Sequence, residues 1–275
     1  MKCAWDKLLK ILPVRFCRDV DLQGKGAMQE LRLRINSPPE LVMSDKSIRL
    51  SGLVTQEDLN YVINAASQYS PWSASTVSQG YLTAPGGHRI GICGDAVVRN
   101  NRICGFSQVR SVCIRVSRDY SGIAEKAKDL DGSILIIGPP GWGKTTLLRD
   151  LIRQVSLKRT VSVVDERKEV FPEGFHWGKK VDVLHGCSKI IGIEMLLRTM
   201  GPEVIAVDEI TAEEDSLVLM HAMNCGVTLL ATAHAHCIED LKRRQIYRTL
   251  LDNRVFDYVL ILKRDKTYDV ERLNV

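Results

Sequence analysis

Residues Ile134 to Asp150 read ILIIGPPGWGKTTLLRD. Gly138 is followed by Pro139, Pro140, Gly141 and Trp142, then by Gly143, Lys144, Thr145 and Thr146, which fits the phosphate-loop pattern G-x-x-x-x-G-K-[ST]. Glycines let the backbone curl until successive N–H groups face phosphate oxygens. A helix that begins there adds its N-terminal partial positive charge. The chemistry implied is binding of ATP with Mg²⁺: residues 138–146 cradle phosphates, Lys144 reaches the β and γ phosphates, and the Thr145 hydroxyl holds the ion. The plain alternative is a glycine-rich turn that binds nothing. An apolar run before the loop and a helical run after it are the context that favours the phosphate reading.

Three more stretches end apolar runs in residues of catalytic type. Val204 to Val207 lead into Asp208 and Glu209, the form of a second phosphate-hydrolysis motif. Asp208 would bind Mg²⁺, and Glu209 would polarise the attacking water. Val163-Val164 lead into Asp165, Glu166 and Arg167. These acids either help hold Mg²⁺ or the lytic water, or form a turn salt-bridged to Arg167. Thr232-Ala233-His234-Ala235-His236 offers a Thr or His as γ-phosphate sensor. A metal role for the H-x-H pair lacks a third ligand at useful spacing, so the sensor role is preferred. An arginine in trans would be Arg89, Arg115, Arg118 or Arg198, though for each a surface salt bridge is the favoured reading.

These residues need a scaffold that brings strand ends together. From Ser133 onward strands alternate with helices, which predicts a mainly parallel α/β sheet. Its strands are Ser133–Ile137, Thr160–Val164, Val204–Val207, Val227–Thr232 and Tyr258–Leu262, with a helix over Thr146–Leu157. In such sheets ligands gather at the carboxyl ends of the strands. Before it, residues 1–120 read as a smaller mixed α/β domain, with a linker at Ser117–Gly132 and the second domain at 121–275. Residues 4–16 predict an amphipathic helix packed on its own domain. Glu30–Ile35 alternates as a half-buried strand. Short strands are expected at Leu41–Met43 and Ile48–Leu50, around Ser44-Asp45-Lys46. Thr55 and Asp58 have capping-box spacing and open a helix to about Tyr69. Gly80–Arg118 is β-rich, and its glycines at 86, 87, 91 and 94 read as bends in a sheet.

At 275 residues with 45% hydrophobic and 26% charged residues, the chain fits one or two globular domains. A net charge of +5 is mild and calls for no specific nucleic acid. Eight cysteines without a C-x-x-C pair argue against zinc and against a secreted disulfide framework, and predict buried free thiols. No run reaches the roughly 18 apolar residues of a membrane span.

GPPGWGKTT, VVDER, LLRTMGPEVIAVDEI and GVTLLATAHA, in that order, resemble the ATPase engines of bacterial type II and type IV secretion and pilus systems. Asp165 and Glu166 fall on that group's acidic box, Glu209 on its catalytic glutamate and His234 on its histidine box. Asp208 stands where those engines usually carry Gly, and Trp142 where a small residue is usual. LLKILP, ELRLRI, YLTAPGGHRIGICGDAVV, VCIRVSR, VVDERKEV and VDVLHGC resemble the stage III sporulation protein AA family, over nearly the whole chain. The resemblance implies a P-loop NTPase of RecA-like fold, cytoplasmic and peripherally associated with a membrane complex. It implies a ring homo-oligomer, a hexamer, with ATP between the two domains and near a neighbour. Its partners would be membrane channel proteins of the sporulation complex, and its role to power or gate a channel from mother cell to forespore. Rival readings are a nucleic-acid-dependent ATPase, betrayed by salt-dependent binding to single strands, and a nucleotide-binding scaffold without turnover.

Overall fold

The computed structural model describes residues 3–43, 45–68, 80–172 and 174–273. Contacts divide the chain into two compact units, Met1–Asp119 with Glu173–Phe175, and Tyr120–Pro172 with His176–Val275.

In the first unit, α1 (Trp5–Lys10) and α2 (Val14–Gly24) replace the single helix expected over residues 4–16. Pro13, which has no N–H to continue α1, stands at the start of α2. Trp5, Leu8, Ile11 and Leu12 are buried, so the apolar face does pack on its own unit. Helix α3 (Gln56–Ala66) opens on a reciprocal cap: Asp58 N donates to Thr55 Oγ1 (3.3 Å) and Thr55 N to Asp58 Oδ2 (2.7 Å). Such a cap contributes about 1 kcal/mol. The expected end of this helix at Tyr69 lies outside the described residues. The unit's sheet has six antiparallel strands, three before α3 and three after: β1 (Glu30–Arg34), β2 (Glu40–Val42), β3 (Ser47–Arg49), β4 (Tyr81–Ala84), β5 (His88–Arg99) and β6 (Arg102–Arg115), ordered β3-β2-β1-β6-β5-β4. β2 and β3 begin one residue before the expected positions, and of the turn between them Ser44 lies outside the described residues. Leu31 and Leu33 alternate with charged neighbours and put one face of β1 in the core. Gly94 sits at a bulge, where a Cβ would meet Gln108 O at 2.0 Å.

The second unit is α/β. Its sheet runs β13-β12-β7-β11-β10-β8-β9. The strands are β7 (Ile134–Ile137), β8 (Val161–Asp165), β9 (Val181–His185), β10 (Val204–Glu209), β11 (Thr228–Ala233), β12 (Tyr258–Leu262) and β13 (Tyr268–Arg272). Only β13 is antiparallel. Helices are α4 (Lys144–Val155), α5 (Lys189–Thr199), α6 (Glu213–Asn224), α7 (Ile238–Arg243) and α8 (Gln245–Asp252). Two apolar clusters cover the sheet, Leu135 and Ile137 belonging to one and Ile134 and Ile136 to the other. Burial on both faces is why these strands read as unbroken apolar runs. The segment after Asp119 is held to this unit by Asp150, whose carboxylate accepts from Gly122 N (3.1 Å) and Ala124 N (2.8 Å).

The cysteines differ from expectation. The eight cysteines are free, but none is buried, and Cys93, Cys104 and Cys225 are exposed. Cys93 lies on β5 opposite Ser111, and Cys104 lies on β6 close to the β5–β6 turn. No helix among the described residues is long and apolar enough to cross a membrane.

Candidate active site

The sheet order places β7 beside β11, and β11 beside β10, so three chemically distinct loops leave one edge together. The loop Gly138–Gly143 leaves β7 and turns directly into α4. Gly141 and Gly143 hold φ of 76° and 103°, a conformation that a Cβ disfavours. Gly143 is the N-cap and no side chain caps α4, so the first-turn N–H groups are left without a side-chain partner, as an anion site at a helix N-terminus requires. Trp142 packs against the hydrophobic cluster. Lys266, in the β12–β13 turn, donates to Gly141 O (2.8 Å).

Lys144 is only 6% exposed. Its Nζ donates to Gly138 O (2.9 Å) and Pro139 O (3.2 Å) and lies 2.9 Å from His234 Nδ1. Burial pulls its pKa down, while Glu209 and Asp208 oppose this. His234, after β11, has Nε2 2.7 Å from Glu209 Oε1. An ammonium only donates, so Nδ1 is the acceptor and Nε2 carries the proton toward Glu209. Lys144, His234 and Glu209 thus form one continuous chain.

Asp208 faces the other side of the loop. Thr145 Oγ1 lies 3.3 Å from its Oδ1 and 3.4 Å from its Oδ2, and Thr232 Oγ1 donates to Oδ1 at 3.2 Å. Burial, with the charges of Glu169, Asp165 and Glu209, pushes the Asp208 carboxyl up to about 6; the Thr232 hydrogen bond works against this. An acid so placed fits a cation. With Thr145 it offers hard oxygens, leaving remaining positions of a Mg²⁺ for phosphate oxygens and waters. Among the described residues no group of three His, Cys, Asp or Glu side chains is placed to hold a metal.

The acidic stretch after β8 is built differently. Asp165 is fully buried; Oδ1 accepts from Glu169 N (2.8 Å) and Oδ2 from Phe171 N (2.9 Å), with His185 Nδ1 3.4 Å away. Burial raises its pKa, but His185 and the backbone N–H groups together bring it below its ordinary value. Its carboxylate is thereby committed to the loop 165–171. Glu166 accepts from Lys189 Nζ (3.0 Å), and Lys189, 6% exposed, also lies 3.5 Å from Asp215 Oδ2. The partner is Lys189 rather than Arg167. Asp215 in turn accepts from Thr211 N (2.9 Å) and Ala212 N (3.2 Å) at the start of α6. Lys189 therefore ties the β8 loop to the β10 loop, a role that no sequence spacing announces. A cleft of about 30 Å³ between Glu166, Glu169, Lys189, Asp208 and Glu209 has room for a water beside Glu209. A larger groove, about 640 Å³, lies between Ile238, Arg248 and Leu273, carries mixed charge and contains none of the motif residues.

The arginine candidates are spread out. Arg198 donates to Glu194 O in its own helix (3.3 Å). In the first unit Arg115 pairs with Glu30 (3.2 Å), Arg118 donates to Met28 O (2.7 Å), and Arg89 lies over the Tyr81 ring (5.0 Å).

The fold is similar to that of the pilus retraction motor PilT with bound ADP, at TM-score 0.63 and 15% identity, over 98% of this chain and 84% of that one. It is also similar to the Legionella pneumophila ATPase DotB, at TM-score 0.58 and 15% identity, over 95% and 80%. This is the P-loop NTPase fold. In sequence, the chain is 37% identical over 257 residues to stage III sporulation protein AA of Bacillus subtilis (strain 168), covering 87% of this chain and 83% of that protein. It is 31% identical over 214 residues to protein SEEDLING PLASTID DEVELOPMENT 1 of Arabidopsis thaliana, spanning 72% of this chain but 28% of that protein. The family described as sporulation stage III, protein AA matches residues 6–271, and the chain belongs to that family.

Proposed function

We propose that the chain is an ATPase, a motor that powers or gates a secretion-like channel during sporulation. The observation that carries the reading is the convergence of Lys144, Thr145, Asp208, Glu209 and His234 at one sheet edge. The loop amides and Lys144 bind the triphosphate, which requires Lys144 to leave Gly138 O, Pro139 O and His234 for phosphate oxygens. Thr145 and Asp208 would hold Mg²⁺, and the ion would supply positive charge to offset that of the triphosphate. Glu209 takes the proton of a water in the adjoining cleft. His234, released by Lys144 and still hydrogen-bonded to Glu209, orients that base and reports on the γ-phosphate. Asp165 and Glu166 act at one remove: Asp165 fixes the β8 loop, and Glu166 anchors Lys189.

The resemblance to secretion and pilus engines, and the fold shared with a retraction motor, support a homo-oligomeric ring, proposed as a hexamer. Membrane channel proteins of the sporulation complex are its proposed partners, with the ring on their cytoplasmic side. Paired measurements of ATP binding and phosphate release test the assignment. Lys144→Ala should lose binding. Glu209→Gln should keep binding and lose turnover by on the order of a hundredfold. Turnover by Glu209→Gln equal to that of the parent would remove Glu209 as the base and the reading with it.

A further inference from the structure

The first unit's sheet has an arm. β1 pairs with β6 only over Ser111–Arg115, and β4 pairs with β5 only over His88–Gly91. Among the described residues, the two strands from Asp95 to Gln108 pair only with each other, and none of these residues is buried. A two-stranded ribbon of this kind contributes little stability of its own. Its tip is well defined: Asn100 and Asn101 both take left-handed backbone (φ 49° and 58°), the two-residue turn that closes a twisted hairpin.

Two features of the arm lack a counterpart among the described residues. Val98 and Ile103 face each other across the ladder at 58% and 50% exposure, beyond Phe106, which still packs against the unit's core. Arg99 and Arg102 are also directly opposed, and like charges so placed repel. Asp95 is the arm's one carboxylate, and Arg110 holds it through both Nε (2.9 Å) and Nη2 (2.7 Å). The tip arginines have no acidic partner among the described residues. The register breaks at Cys93/Gly94, Asp95/Ala96 and Val97/Val98 twist the free edges away from adding a further strand, so the tip and not the edge is the binding element.

We propose that this arm docks on an anionic lipid surface. Val98 and Ile103 enter the headgroup boundary, and Arg99 and Arg102, on long stems, settle on headgroup phosphates that relieve their mutual repulsion. The proposal is independent of nucleotide chemistry, and its test uses none.

The full chain is sedimented with vesicles of phosphatidylcholine alone or mixed with phosphatidylglycerol. The parent should bind the anionic vesicles and leave the neutral ones. Arg99→Gln with Arg102→Gln should weaken binding roughly thirty-fold, about five-fold for each surface arginine. Val98→Thr with Ile103→Thr should weaken it roughly tenfold. Because these side chains pack against little, all variants should melt with the parent, which separates loss of binding from loss of fold. Failure of the parent to bind anionic vesicles would overturn the proposal. So would unchanged binding by both double variants, which would assign the interaction to another basic surface. Displacement of the arm by an acidic protein domain, with no vesicle binding, would make it a protein-docking element instead.

Discussion

Asp208→Asn separates what the site costs the fold from what it supplies to chemistry. Asp208 in the folded chain titrates near 6 against an ordinary 3.8. Its charged form is therefore disfavoured by folding. That penalty is absent below the unfolded pKa, grows as pH rises between the two values and is complete above about 6. A shift of about two units corresponds to about 3 kcal/mol at pH 8 and about half of that at pH 5. Water reaching the part-buried carboxylate reduces both figures, so a gain of about 2 kcal/mol at pH 8 is the working expectation. In unfolding of the second unit this is a rise in Tm of roughly 4–8 °C. The assay is thermal unfolding without nucleotide or metal at both pH values. Asp208→Asn should be more stable than the parent, by a margin that shrinks toward pH 5. With ATP and Mg²⁺ the order should reverse, because the parent alone regains a neutralising cation. An Asn variant no more stable than the parent at pH 8, or a margin independent of pH, would refute the reasoning.

Three further outcomes are expected. His234→Ala removes the link between Lys144 and Glu209, and should lower turnover by on the order of a hundredfold while ATP still binds, read by turnover beside binding. Lys189→Ala leaves Asp215 without its buried cation and should cost about 1–3 kcal/mol in denaturant unfolding. Gly192→Ala would place a Cβ 2.6 Å from Val164 Cγ1 and 3.0 Å from Cys187 Sγ, forcing α5 off β8 at about 1–3 kcal/mol in the same assay.

What the sequence showed follows from burial. β7, β8, β10, β11 and β12 are enclosed on both faces, so each is written as an apolar run and falls near its expected place. β9 and β13 close the two edges of the sheet, and edges face water. Asp182 interrupts β9, and β13 buries only Tyr268. Neither carries the apolar signal. Helix α2 did leave a trace, with Phe16, Val20 and Gly24 buried four residues apart behind Pro13. The candidate site residues at strand ends stood out because their polar side chains sit next to those runs. Lys189 was not, being a single lysine 23 residues beyond Glu166 whose role exists only once β8 and β10 lie side by side. Likewise the free arm of β5 and β6 reads in sequence as ordinary sheet, because alternation does not reveal where neighbouring strands stop.

The central claim is hydrolysis at the site of Lys144, Thr145, Asp208, Glu209 and His234, in a chain proposed to work as a ring. Phosphate release from Mg²⁺-ATP, measured across protein concentration for the parent and for Glu209→Gln, tests it most directly. The account predicts specific activity that rises with parent concentration as rings form, and a Glu209→Gln protein that stays near zero throughout. Release at the same low rate by both proteins at every concentration would contradict it.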